Sequence, residues 1–399
     1  MAEKTASNSS HESPLSALQE PQEIANALVR LAASLKAMAS SNASAVSTGN
    51  SPRITYYRSL PPVVSQAYDL LQQGAALVHG TSTKYTLVGK IDRSDQPNLA
   101  QDLLQGCQLI GTACIICHEP ASGCGVSARS HILQAARAIV NTTLQLVLSF
   151  IDESALEENV GAQKTGAVWS SCDVVLSKTV PLGNRNAIRR DLFTYIMECN
   201  ETMTEFQDLI DLGPSSAEEV SANNHSETNE HGIVEVEDDG WDAFLQGQDS
   251  QFTMDELPVA VASLALVKCS RGSLNVTLQA CEAAARDETS LAEFQEQGCQ
   301  DRCDWICQLV EKARAVGDGM TDLGACMYPP LNLDELLAQI ERQTTCIETV
   351  VLHILDASLV HGILELPDDV TELVSKVQSA LATRQREALE AIVQAKAYR

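Results

Sequence analysis

Aromatic residues make up only 4% of this 399-residue chain, and long unbroken apolar runs are missing. The 44% apolar content therefore comes mostly from Leu, Val, Ile and Ala, and the core has to be built with few rings. Such a core favours packed helices over a β-sandwich, which draws on β-branched and aromatic residues. No uninterrupted apolar stretch reaches about 18 residues, so no membrane span is expected. The opening residues, MAEKTASNSSHESP, contain no apolar h-region, so no secretory signal is expected either.

Catalytic signatures are absent too. The chain has no G-x-x-x-x-G-K-[ST], G-x-S-x-G, H-E-x-x-H or G-x-G-x-x-G stretch. Its eight His are scattered, none at a telling spacing from a carboxylate. Nothing argues for catalysis, so no catalytic, cofactor-binding or metal-binding residues are assigned.

Positive charge is missing from one whole region. Between Asp191 and Val267 there is no Lys or Arg, against 18 Asp and Glu, while the chain as a whole carries −26. A surface of that sign repels phosphate backbones, which disfavours direct nucleic-acid binding and favours basic protein partners.

What is present is helical periodicity. Ile24, Leu28, Leu31, Leu35 and Met38 step by four and three residues along one helix face. A helix starting at Pro61-Pro62 continues through Val64, Tyr68, Leu71 and Ala75. Further helices are expected over 99–117, 130–152 and 169–177, and from Asn186 through Ile210. Beyond an acidic polar stretch, they follow at 259–285, 291–316 and 368–396. The expected architecture is all-α: a disordered N-terminus (1–18), a helical bundle (19–212), a flexible acidic linker (213–255) and a second antiparallel bundle (256–399). Residues 319–340, GMTDLGACMYPPLNLDELLAQI, read as helix, tight corner, helix. Tyr328, Pro329 and Pro330 form the corner, with Pro330 in the first turn of the new helix.

Three motifs invite chemistry. Cys114-x-x-Cys117-His118 spells the attachment signature of a c-type haem, but both cysteines sit where the helix wants apolar residues. Adding Cys107 or Cys124 gives a zinc-like set whose spacing matches no compact zinc module. Cys299, Cys303 and Cys307 share a helix face and would need a fourth ligand from elsewhere to hold metal. Thirteen Cys without a secretory signal fit free thiols in a reducing compartment. Leu333, Ile340, Ile347 and Ile354 recur every seven residues, but the accompanying positions Leu336, Gln343, Val350 and Ala357 form an uneven seam. That seam favours packing within one bundle over a free zipper.

In the acidic stretch, DDGWDAFL places Trp241, Phe244 and Leu245 at i, i+3 and i+4. This is the form of a segment that folds into a partner's groove; docking of the Trp on the chain's own bundle is the alternative.

The segments 257–282 (LPVAVASLALVKCSRGSLNVTLQACE) and 322–340 (DLGACMYPPLNLDELLAQI), with 168–210 (VWSSCDVVLSKTVPLGNRNAIRRDLFTYIMECNETMTEFQDLI), resemble the cyclin-D1-binding protein family. Its members are also described as cyclin-D-interacting or maternal Id-like proteins. The likeness covers most of residues 60–395. It implies an all-α protein of the cytoplasm and nucleus without enzymatic activity. It also implies D-type cyclins and helix-loop-helix transcription factors as partners, and negative regulation of cell-cycle progression and transcription. As in that family, no basic region precedes any helix, which fits a role without DNA binding. The Cys114–Cys124 cluster is a departure from the family. Two other readings stand beside this one: a cytoskeletal or trafficking adaptor built from similar bundles, and a metal or haem protein using Cys114, Cys117 and His118.

Overall fold

The computed structural model describes residues 21–47, 60–91, 93–157, 159–214, 251–285, 297–359 and 366–398. Among the described residues every regular element is helical, with ten α-helices, short 3-10 turns and no strand. The N-terminal segment 1–18 and most of the acidic stretch (215–250) lie outside the described residues, and with them Trp241, Phe244 and Leu245. The described chain divides into two compact units, one ending at Ala187 and the other beginning at Ile188.

The first unit contains α1 (Pro21–Ser47), α2 (Pro62–Ile91), α3 (Gln96–His118), α4 (Val126–Ile151) and α5 (Val160–Leu176). The stripe read from the sequence on α1 buries Ile24, Leu28 and Leu35 completely. Helices α2 and α3 form an antiparallel hairpin whose backbones nearly touch. A Cβ added to Gly74 would stand 2.6 Å from the carbonyl oxygen of Gly106. Only glycine lets two helix backbones approach so closely, and Val78 and Ile110 then close over the gap. The Tyr85 ring packs edge-on against Phe150 at 5.2 Å, and the Tyr68 hydroxyl donates to the carbonyl of Pro181. Helix α5 is longer than the 169–177 expected. Its added turns bury Gly161 and Thr165, and the Thr165 hydroxyl pairs with Thr86 at 2.6 Å. Small and polar residues on a buried face leave no apolar period to read.

The second unit contains most of α6 (Gly183–Asp211), then α7 (Leu257–Ala284), α8 (Gln297–Ala325), α9 (Leu333–Leu355) and α10 (Asp368–Tyr398). The sequence reading assigned α6 to the first bundle. From Ile188 onward the helix belongs to the second unit, where Leu192, Cys199 and Phe206 are buried. Arg189 pairs with Glu282, Asn200 with Arg271, and a Cβ at Gly317 would strike the Tyr195 ring. These contacts run α6 antiparallel to α7 and parallel to α8. Gln343 on α9 reaches Val316 on α8, and Lys396 on α10 reaches Asp334 on α9, so the unit alternates up and down.

All eight residues of the two heptad positions, Leu333, Leu336, Ile340, Gln343, Ile347, Val350, Ile354 and Ala357, are buried within this unit. Gln343, at the odd position of the seam, donates its amide to Ser270 Oγ and to the carbonyl of Val316, each at 3.0 Å. The heptad therefore faces the unit's own core. Helices α3 and α7 are long and apolar enough to cross a membrane by length and composition. About half of each such stretch, 50% and 56%, is buried inside its own unit, as in the central helix of a bundle.

Candidate functional site

The Tyr-Pro-Pro corner is built on a carboxylate the sequence reading did not select. Thr253-Met254-Asp255-Glu256 precedes α7 as a reciprocal capping box: Glu256 N–H donates to Thr253 Oγ1 at 3.3 Å, and Thr253 N–H to Glu256 Oε2 at 3.1 Å. The other oxygen, Glu256 Oε1, accepts from the backbone N–H of Leu331 at 2.9 Å. Glu256 is 1% exposed and Phe252 is wholly buried. The residues from 251 onward are therefore part of the folded unit, and the linker expected to reach 255 stops short of them. The signal was legible, because T-x-x-E directly before an apolar helical run marks a helix start.

Across the corner the Pro329-Pro330 bond is cis, Met327 and Leu331 are buried, and α9 begins at Leu333. Pro330 is thus not in the first turn of the helix, as the sequence suggested. Asn332 is the cap, its side chain accepting from Glu335 N–H at 3.3 Å, and an Asx cap outcompetes a proline start.

Tyr328 itself lies on the outside of the corner, with 47% of the residue exposed. The ring leans on Phe206 of α6, centroids 5.0 Å apart and tilted by 59°, and its hydroxyl donates to Glu205. That hydrogen bond to a carboxylate raises the Tyr328 pKa above the usual tyrosine range. Pro329, Leu331 and Glu256 hold the corner, while Tyr328 closes it from outside. On the same unit, α6 turns Phe193 and Met197 out to solvent one helical turn apart.

The cysteine motifs lie elsewhere. Cys114 and Cys117 point into the first unit's core with no exposed surface. His118 Nδ1 donates to the carbonyl of Cys114 at 2.8 Å, the carbonyl being able only to accept. Among the described residues no three His, Cys, Asp or Glu side chains converge as metal ligands. The side chains of Cys299 and Cys303 lie outside the described set.

Two family models match the chain. The N-terminal model of the family described as Grap2 and cyclin-D-interacting matches residues 70–212, and its C-terminal model matches residues 237–352. The chain belongs to that family. The two matches take in parts of both units and the whole corner: Tyr68 falls outside them, while Glu205, Glu256 and Tyr328 fall inside. The acidic motif Trp241, Phe244 and Leu245 also lies within the C-terminal match. No curated protein sequence matches the chain.

Proposed function

We propose that this protein is a non-enzymatic interaction regulator that binds D-type cyclins and thereby restrains cell-cycle progression. The observation that carries the reading is the pair of family matches, over 70–212 and 237–352, to a family described by its interaction with cyclin D. The helical architecture supports it: an exposed helix face is a ready surface for a protein partner. We place the partner-binding residues in the acidic segment at Trp241, Phe244 and Leu245. Apolar anchors at i, i+3 and i+4 amid negative charge suit a groove flanked by basic residues. The Tyr-Pro-Pro corner then acts on binding only through the geometry of the second unit. Helix-loop-helix transcription factors are proposed as further partners, sequestered without DNA contact because the strong negative charge opposes binding to phosphate backbones. The corresponding locations are cytoplasm and nucleus.

A pull-down from cells of the source organism with the full chain tests the assignment. Recovery of a D-type cyclin should fall with Trp241→Ala and Phe244→Ala at unchanged folding. Recovery equal to that of the parent chain would remove the motif from the interface.

A further inference from the structure

One part of the first unit has the opposite charge to the chain as a whole. The protein carries −26, yet residues 24–68 and 120–151 contain six Lys and Arg and no Asp or Glu. These stretches hold nearly all of α1 and the whole of α4, which pack on one another. Between the C-terminal half of α1 and the N-terminal half of α4 lies a pocket of about 490 Å³. That volume suits a small organic ligand.

The pocket wall is mostly polar. Ser130, Gln134, Arg137 and Asn141 recur every three or four residues on α4 and so share one face. Asn42 of α1 meets that row at Ser130, and Ala39 and Leu133 add an apolar wall. Asn42 is 5% exposed. Its Nδ2 donates to the carbonyl of Val126 at 3.2 Å and to Ser130 Oγ at 3.0 Å. A carbonyl only accepts, so the amide is fixed in this orientation, and the atom left over is Oδ1. That oxygen is buried without a hydrogen-bond partner. An acceptor buried in this way is costly until a donor reaches it. Ser130 Oγ accepts from Asn42, which leaves its own proton for another acceptor.

Arg137 has no acid to pair with. Its own helix contains none, and on α1 the sole acid is Glu23, sixteen residues or about 24 Å along the axis from Ala39. Among the described residues no ion pair forms on Arg137. Gln134 and Asn141 place carboxamides one turn to either side of it.

We propose that this pocket binds a small phosphorylated polyol, an inositol or sugar phosphate. The three terminal oxygens of a phosphate match three donor side chains, Arg137, Gln134 and Asn141, whereas a carboxylate has two oxygens to offer. A hydroxyl elsewhere on the same molecule donates to Asn42 Oδ1 and accepts from Ser130 Oγ, which satisfies both. Ser130 and Arg137 are two turns apart, about 10 Å along the axis. The long Arg137 side chain shortens that gap, and a six-carbon phosphate ester bridges the rest. A chain of charge −26 is repelled by anionic membranes, which favours the free ester over a lipid headgroup as the source. The site is separate in sequence from Trp241, Phe244 and Leu245 and does not depend on the cyclin assignment.

Titration calorimetry of the full chain with myo-inositol 1-phosphate and with glucose 6-phosphate tests this. At least one ester should bind saturably at a single site. Inorganic phosphate and the unphosphorylated polyol, the two halves of the ligand, should each bind at least about tenfold more weakly. Arg137→Gln should weaken the ester roughly tenfold or more and Asn141→Ala roughly fivefold, both with the parent melting curve. Arg30→Gln removes the same charge half a turn round α1 from Ala39 and should leave affinity unchanged. Co-sedimentation with phosphatidylcholine vesicles containing phosphatidylinositol 4-phosphate identifies the source: chain left in the supernatant takes the free ester, and chain that pellets takes the headgroup, each upholding the site. Absence of saturable binding by both esters would overturn the proposal. So would inorganic phosphate binding as tightly as the esters, or Arg30→Gln weakening them as much as Arg137→Gln. If Arg137→Gln fails to fold, the comparison of each ester with its two halves still decides.

Discussion

The backbone N–H of Leu331 donates to Glu256 Oε1 at 2.9 Å, so one buried carboxylate both caps α7 and fixes the chain just past Pro330. The start of α7 and the backbone just before α9, 75 residues further on, depend on the same side chain. Glu256→Ala leaves the N–H groups of Thr253 and Leu331 without their acceptor. The loss should be about 2–4 kcal/mol, read as a lower urea midpoint at constant slope. Asn332→Ala, which removes only a cap, should cost about 1 kcal/mol.

Tyr328 and Phe206 should separate in the same assay. Phe206 is buried and Tyr328 half exposed, so Phe206→Ala should cost about 3–5 kcal/mol and Tyr328→Ala about 1 kcal/mol. Equal losses would mean that Tyr328 carries more of the corner than its exposure indicates.

Gly74→Ala puts a methyl against the Gly106 carbonyl, an atom that cannot swing away. Forcing α2 and α3 apart should cost on the order of 3 kcal/mol and lower the melting temperature. Gly80→Ala on the same helix meets nothing within 4 Å and should be neutral or slightly stabilising. The pair separates close helix approach from general helix propensity.

Two imidazoles give a pH dependence. Burial lowers the pKa of His118 and of His353, the latter stacked on Trp305 with ring centroids 5.6 Å apart. In the unfolded chain both protonate near the ordinary 6.5, and in the folded chain at lower pH. Between those values the unfolded state binds more protons, so stability falls as pH drops below about 6.5 and levels off below the folded pKa values. Denaturant midpoints at pH 7.5 and 5.5 should differ in that direction. His353→Gln should reduce the difference.

The helices were legible because their apolar residues repeat with the helical period, and the heptad residues were correctly turned toward the chain's own core. Legibility failed where polar residues do the packing. Thr165 and Gly161 hid the first turns of α5, and Gln343 made a complete seam look broken. The T-x-x-E box marks Glu256 as part of a helix start, but not its hold on the corner, because that partner, the N–H of Leu331, lies 75 positions away. The division inside α6 was hidden because an unbroken amphipathic helix carries no mark of which neighbours its face will meet. Cys114 and Cys117 kept the helical register read for them: both thiols turn into the core of the first unit.

Binding of a purified D-type cyclin to the full chain, followed by surface plasmon resonance, tests the central claim most directly. The account predicts saturable binding to the parent chain and a markedly weaker response from Trp241→Ala/Phe244→Ala protein with the same melting curve. A folded chain that binds none of the source organism's D-type cyclins would contradict it.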